Sequence, residues 1–209
     1  LRQLAEYAHQ FGAKVYVTLN TIIYDEELAE VESLVWDLFR IGIDALIVQD
    51  MALLTMNLPP IELHASTQTD NRTPEKVQFL YENGFSQVVL ARELPIEDIR
   101  SIVKRCGCEI EVFVHGALCY SISGLCLFSA MEKNRSGNRG KCKQPCRRRY
   151  FSKSGNGFFF SPQDLCSLEM LPVLKKMGIK NPYADEAYEV FSEELSDPRV
   201  KYAPSFKEL

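Results

Sequence analysis

The chain has 209 residues, of which 46% are hydrophobic and 25% charged, enough for one sizeable core and ordinary for a globular domain. Its formal net charge of -4 argues against a surface that is basic throughout, and no apolar run approaches the ~20 residues that a membrane-spanning helix requires. Seven cysteines, an odd number, in a chain with no signal-like start point to a cytosolic protein with metal-binding or redox thiols, not a disulfide framework.

The chain opens on LRQLAEYAHQ, an amphipathic helix pattern and not the charged-then-apolar order of a signal peptide. KVYVTLN (Lys14 to Asn20) reads as a strand. A helix follows from Asp25, its expected N-cap, to Ile41, with Leu28, Val31, Leu34, Val35, Leu38 and Phe39 on one apolar face. ALIVQD (Ala45 to Asp50) and IELHAS (Ile61 to Ser66) are the next strands, joined by a short helical connection. Thr73 and Pro74 then have the cap and first-turn identities that begin a helix. QVVLAR (Gln87 to Arg92), the helix PIEDIRSIVKR and the strand EIEVFVHG (Glu109 to Gly116) repeat the scheme. Beyond Tyr150, GFFFSPQDL suggests one more strand and SLEMLPVLKKMG one more helix. The segment from Asn181 to Leu209 carries a Tyr188, Phe191 and Leu195 helical stripe.

Alternating strands and helices of this kind predict an α/β fold with a parallel sheet. The β-branched run Val88-Val89-Leu90 predicts strands buried on both faces, and no Gly-x-Gly-x-x-Gly follows a strand, which disfavours a dinucleotide-binding unit. Polar residues stand where the strands end: Asn20, Gln49 and Asp50, His64 and Ser66, Arg92 and Glu93, and His115. In a β/α barrel those positions build the active site. About six strands are visible, fewer than the eight of a closed barrel, which typically needs ~250 residues.

Five of the cysteines lie between Cys119 and Cys166 on Gly-rich loop sequence, in VHGALCYSISGLC, GKCKQPC and SPQDLC. Cys119 and Cys126 are seven apart, Cys142 follows after sixteen and Cys166 after twenty-four more, with Cys146 as a fifth thiol. Tetrahedral thiolate ligation suits zinc or an iron-sulfur cluster, but the paired Cys-x-x-Cys knuckles of zinc ribbons are absent. Cys106 and Cys108, at a helix end and a strand start, read as structural. Between Lys133 and Lys153 lie nine basic residues and no acidic one, an electrostatic footprint for a polyanion. Neither a His-Glu-x-x-His helix nor a Gly-x-Ser-x-Gly elbow is present; a nucleophilic thiol would have to come from Cys119 with His115 as its base.

The stretch EVFVHGALCYSISGLCLFS (Glu111 to Ser129) closely resembles the signature of the peptidase U32 family, also known as collagenase-like proteases. YVTLNT, HASTQ, VVLARELP, NRGKCKQPCRRRY and SPQDLC extend the resemblance in order along the chain. It implies a TIM-type β/α barrel, partial in this chain, over residues 1–180, with the Cys-rich segment 116–166 as a loop insertion and 181–209 as a C-terminal helical extension. Family members begin one β/α unit earlier and continue after Lys180 with a Lys-x-Glu-Gly-Arg string that this sequence lacks.

Some members hold a four-iron, four-sulfur cluster and take part in oxygen-independent hydroxylation of tRNA, rRNA or a quinone precursor. The resemblance therefore implies cluster ligation by Cys119, Cys126, Cys142 and Cys166, with Cys146 as an alternative ligand and zinc as the alternative metal. RNA becomes the expected partner of the basic run, with Arg139, Arg147, Arg148 and Arg149 on the phosphates. His64, Gln68, Arg92 and His115 are the expected catalytic residues, orienting substrate or a small carboxylate co-substrate. The competing readings are a collagenase-like peptidase and a non-catalytic, metal-stabilised RNA-binding module.

Overall fold

A computed structural model describes residues 1–161 and 164–179. Five parallel strands, β1 (Tyr16–Leu19), β2 (Ala45–Val48), β3 (Glu62–Ala65), β4 (Phe85–Val89) and β5 (Glu109–Glu111), form one sheet in sequential order. No reversal of strand order occurs, so the sheet is wound in one direction as in a barrel and lacks the switch point of a doubly wound fold. It is not closed: β1 and β5 are its two edges. The α/β class and the parallel sheet agree with the sequence reading.

The register explains where the core sits. Leu19, Val48, Ala65, Val88 and Ile110 lie side by side across the sheet and make one face apolar. Against the sheet pack α2 (Leu28–Arg40), α3 (Pro74–Glu82) and α4 (Ile96–Arg105), which bury Val35, Leu38, Val77, Leu80, Ile99 and Ile102. Each such side chain contributes about 1.5–3 kcal/mol relative to exposure. Thr73 caps α3 as expected, its Oγ1 accepting from the Lys76 N–H at 3.2 Å with Pro74 in the first turn. In α4, Glu97 and Asp98 begin the helix and Lys104 and Arg105 end it, complementing the helix dipole.

The opposite face is polar. Thr18, Ile47, His64, Gln87 and Glu109 form one row on it, with Tyr16, Ala45 and Glu62 below. His64 is buried within β3, its Nε2 3.4 Å from Glu62 and its ring edge-on to Tyr16 at 4.7 Å. Burial holds its pKa below the ordinary imidazole value, against the pull of Glu62. Gln87 donates to Glu111, whose carboxyl burial pushes upward. Burial on both faces therefore holds for Val88, Val89 and Leu90, but not for the edge strand β1, whose residues alternate.

Several boundaries differ from the sequence reading. Asp25 does not cap α2: residues Asp25–Glu27 form a 3₁₀ turn in which the Glu27 carboxylate accepts from the Tyr24 N–H at 2.9 Å. Leu34 and Phe39 are exposed, so the buried stripe of α2 is narrower than its apolar pattern. The run EIEVFVHG is two strands, because β6 (His115–Ala117) leaves the main sheet and pairs antiparallel with β9 (Asp164–Cys166). Between them, β7 (Tyr150–Ser152) and β8 (Gly155–Gly157) make a hairpin that the sequence reading left as loop. Short helices α5 (Phe128–Lys133) and α6 (Leu171–Lys176) complete the set, and α1 (Arg2–Gln10) matches the expected first helix. The expected stripe of Tyr188, Phe191 and Leu195 and the extension 181–209 lie outside the described residues. No described helix is long and apolar enough to cross a membrane.

Truncating Ile102→Ala, at a side chain fully buried between α4 and the sheet, is expected to lower unfolding stability by about 2–5 kcal/mol. Met131→Ala, at 85% exposure, is expected to stay within about 0.5 kcal/mol, as denaturant titration of both variants would show.

Candidate functional site

The loops that follow the strands' C-terminal ends are stitched into a rim. Asn20 donates to Ser66 Oγ at 3.3 Å, and Asp50 accepts from the N–H groups of Ile23 at 2.9 Å and Ala52 at 3.0 Å. Asn71, fully buried, donates to the carbonyls of Ser66 (3.0 Å) and Val89 (2.8 Å) and so joins the ends of β3 and β4. Arg72 bridges Asp70 and Glu93. The sequence reading missed Asn71 and Arg72; their signal is an Asp-Asn-Arg run immediately before the α3 cap.

The Cys-rich loop crosses this rim and is held at two places. On one side Gly124 donates its N–H to Gln68 Oε1 at 2.9 Å, and Ser123 Oγ lies 3.4 Å from Thr67 Oγ1. Gly124 has φ of +78°, and a Cβ there would meet the Gln68 carbonyl at 2.5 Å and Gln49 Nε2 at 3.2 Å. Only glycine allows that approach. On the other side Arg139 grips the β1–α2 connection: it donates to Glu27 Oε2 at 2.6 Å and to the Ile22 carbonyl, and its guanidinium lies 4.3 Å over the Tyr24 ring. The Ile22 N–H donates to the Asn138 carbonyl at 2.9 Å. The Arg139 hydrogen bonds and then the Tyr24 N–H pull the Glu27 carboxyl down to about 2.

All seven cysteines are free thiols. Cys119 and Cys142 are exposed, Cys126 and Cys146 half-buried, and Cys166 buried in β9 opposite His115. Burial raises the Cys146 pKa, followed by the charges of Cys119, Cys142 and Cys126, with Arg147 opposing, so these four thiols share one neighbourhood. Gly137 sits between Cys142 and the Cys126 carbonyl, where an added Cβ would lie 3.7 and 3.9 Å from them. The Gln144 N–H donates to Cys142 Sγ at 3.4 Å. Among the described residues no three Cys, His, Asp or Glu side chains converge as a single ion would require, zinc drawing its sulfurs to about 2.3 Å. The donor chemistry, thiols spread around one loop with a guanidinium beside them, fits a larger thiolate-ligated group. Cys106 and Cys108 are remote in character: burial pushes Cys108 up to about 11, with Cys106 adding to it, as suits inert structural thiols.

Of the four expected catalytic residues, the structure brings two together. Arg92 and His115 line a cleft of about 200 Å³ with Phe113, Gly116 and Leu165. The Arg92 guanidinium lies 4.4 Å over the Phe113 ring and has no carboxylate partner among the described residues. Gln68 tethers the Cys-rich loop, and His64 lies deeper, inside β3 on the polar face of the sheet. The expected phosphate-binding arginines differ among themselves. Arg139 is engaged as above, Arg148 donates to Glu132 at 2.6 Å, and Arg147 donates to the Leu118 carbonyl at 2.9 Å with Asp164 at 3.4 Å. Arg149 instead donates to a neutral amide, Asn156 Oδ1, at 2.6 Å.

Compared with protein-family models, residues 1–181 match the family described as Peptidase family U32. Over 157 residues the chain is 52% identical to the 23S rRNA 5-hydroxycytidine C2501 synthase of Escherichia coli K12, covering 75% of this chain and 24% of that protein. It is 34% identical over 190 residues to the tRNA hydroxylation protein P1 of Bacillus subtilis, covering 83% of this chain and 45% of that protein. A collagenase of Porphyromonas gingivalis is 36% identical over 201 residues, covering 86% and 48% respectively. The chain thus spans from 24% to 48% of the length of these relatives.

Two outcomes follow from the loop's anchorage. Gly124→Ala is expected to raise the alkylation rate of Cys126 by about tenfold or more, because a left-handed β-carbon alone costs about 1–2 kcal/mol, while far-ultraviolet dichroism stays unchanged. The Glu27 contact contributes fully above the ordinary carboxylate value of 4.5 and is lost as pH falls through about 2. Proteolysis of the loop in the wild type is therefore expected to accelerate between pH 4.5 and 2 relative to Glu27→Gln, whose loop should already be loose at neutral pH.

Proposed function

Because this chain belongs to peptidase family U32, we propose that it is the β/α part of a cytoplasmic enzyme that hydroxylates a base of ribosomal or transfer RNA. Its open five-stranded sheet is read as an arc of a TIM-type barrel, with the Cys-rich loop across the C-terminal mouth where barrel enzymes place their chemistry. One observation carries the reading: the loop that holds the thiols in one neighbourhood is also the loop that carries the basic run, and it is pinned over that mouth at Gly124 and Arg139. Two relatives, from Escherichia coli and Bacillus subtilis, bear the names of RNA hydroxylation proteins, which supports the same assignment.

Cys119, Cys126 and Cys142 would hold an iron-sulfur cluster, with Cys146 or Cys166 as the fourth ligand. When bound, such a cluster supplies one-electron redox chemistry. The chain's own groups do the rest. The Gln144 N–H contacts the Cys142 sulfur, and the Arg147 charge opposes the burial that raises the Cys146 thiol. Arg92, fixed over Phe113 and with no carboxylate partner among the described residues, faces a cleft of suitable size for a small carboxylate co-substrate, with His115 at its edge. A neutral His64, on the polar face of the sheet, can give or take a hydrogen bond without adding charge.

The test is the RNA of a strain lacking the gene, complemented with wild-type or Arg92→Ala full-length protein. Nucleoside mass spectrometry is expected to show a base one oxygen heavier with the wild type, and a loss of about 100-fold or more with the variant, whose iron content should be unchanged. Identical nucleoside profiles in the deletion and complemented strains would overturn the assignment.

A further inference from the structure

The hairpin of β7 and β8 sits beside the thiol loop, joined to it through Tyr150 and Pro145. Its two faces differ. Tyr150 turns inward: its hydroxyl donates to the Pro145 carbonyl at 2.9 Å and its ring meets Phe160 edge-on at 5.2 Å. Side chains alternate along a strand, so Phe151 points the other way, and it is 79% exposed. Arg149, two residues earlier, shares the Phe151 face. Its guanidinium is held by Asn156, the cross-strand neighbour of Phe151.

That tether has a specific electrostatic consequence. Arg139, Arg147 and Arg148 all have a carboxylate within 4.0 Å, which neutralises much of their charge. Among the described residues Arg149 has none; a neutral amide fixes its position and leaves its charge available. Lys153, in the turn of the hairpin, adds a second cation, and no acidic residue occurs from Lys133 to Lys153. Phe158 and Phe159, just past β8, are 62% and 57% exposed. Exposed rings flanked by uncompensated cations fit the flat faces of unpaired bases and the phosphates between them; a duplex, whose bases are already stacked, cannot use the ring.

We propose that the hairpin face carrying Arg149 and Phe151 is a stacking platform for an unpaired base of the substrate RNA, with Arg149 and Lys153 on the adjoining phosphates. This rests on the RNA reading given above and adds to it the form in which the RNA is presented. Phe151 is a positioning residue, distant in role from the thiols and the Arg92 cleft.

The experiment measures binding of a fluorescently labelled single-stranded oligoribonucleotide of about a dozen nucleotides, and of the same sequence as a duplex, to the full chain. Phe151→Ala is expected to weaken single-strand binding by about tenfold and leave duplex binding unchanged; Phe151→Trp should retain wild-type affinity. Arg149→Ala should lower the slope of log affinity against log salt by about 0.7, the share of one phosphate. Single-strand affinity of Phe151→Ala within about twofold of wild type would overturn the platform, including the case in which that variant changes only the melting temperature, as a protein-packing role for the hairpin would produce. A wild-type chain that binds neither RNA overturns the RNA reading as well, so the two failures are distinct.

Discussion

The arrangement depends on one close approach, that of Gly124 to the carbonyl of Gln68. A strand-end loop can reach over a sheet in many ways. Here a left-handed glycine lets backbone meet backbone, the Gln68 amide oxygen accepts the Gly124 N–H, and the chain is committed to run across the ends of β2 and β3 before it reaches Cys126. Arg139 fixes the return path through Glu27 and Tyr24. Cys126 lies between these anchors and Cys142 three residues past the second, with Gly137 leaving space where the two approach.

Charge is distributed along this loop by partner choice more than by residue count. Nine basic residues between Lys133 and Lys153, with no acidic one, look like a uniform polyanion-binding surface in the sequence. In the fold, Arg139 and Arg148 hold carboxylates, so they act as struts. Arg147 stands beside the thiols and on the Leu118 carbonyl. Arg149 and Lys153 remain for an external anion, next to the most exposed ring of the hairpin. On the proposed reading, this separates groups that build the loop from groups that receive RNA.

The regular part of the fold was legible because its signals are local. Thr73-Pro74 caps a helix by its own chemistry, and the apolar runs of β2 and β4 specify buried strands without reference to distant residues. What escaped is set by partners far away in sequence. Nothing within EIEVFVHG announces that His115 will pair with Cys166 and not continue β5, since both outcomes satisfy the same apolar run. His64 read as a strand-end residue, yet register with Ile47 and Gln87 places it inside the sheet. Gln68 reads as a substrate group, and nothing in its own surroundings announces that its amide oxygen accepts from Gly124, 56 residues on. The β7–β8 turn did carry a local signal, Lys153-Ser154-Gly155-Asn156-Gly157, within a run whose charge drew attention away from its turn chemistry.

On the proposed reading, the pinned loop presents its thiols to an iron-sulfur cluster at the mouth of the sheet. Iron and acid-labile sulfide, measured on the full chain purified without oxygen, test it most directly. The account predicts a brown protein with about four of each per chain, and loss of both when Cys119, Cys126 or Cys142 is changed to serine. A colourless, iron-free protein with all seven thiols intact would contradict it.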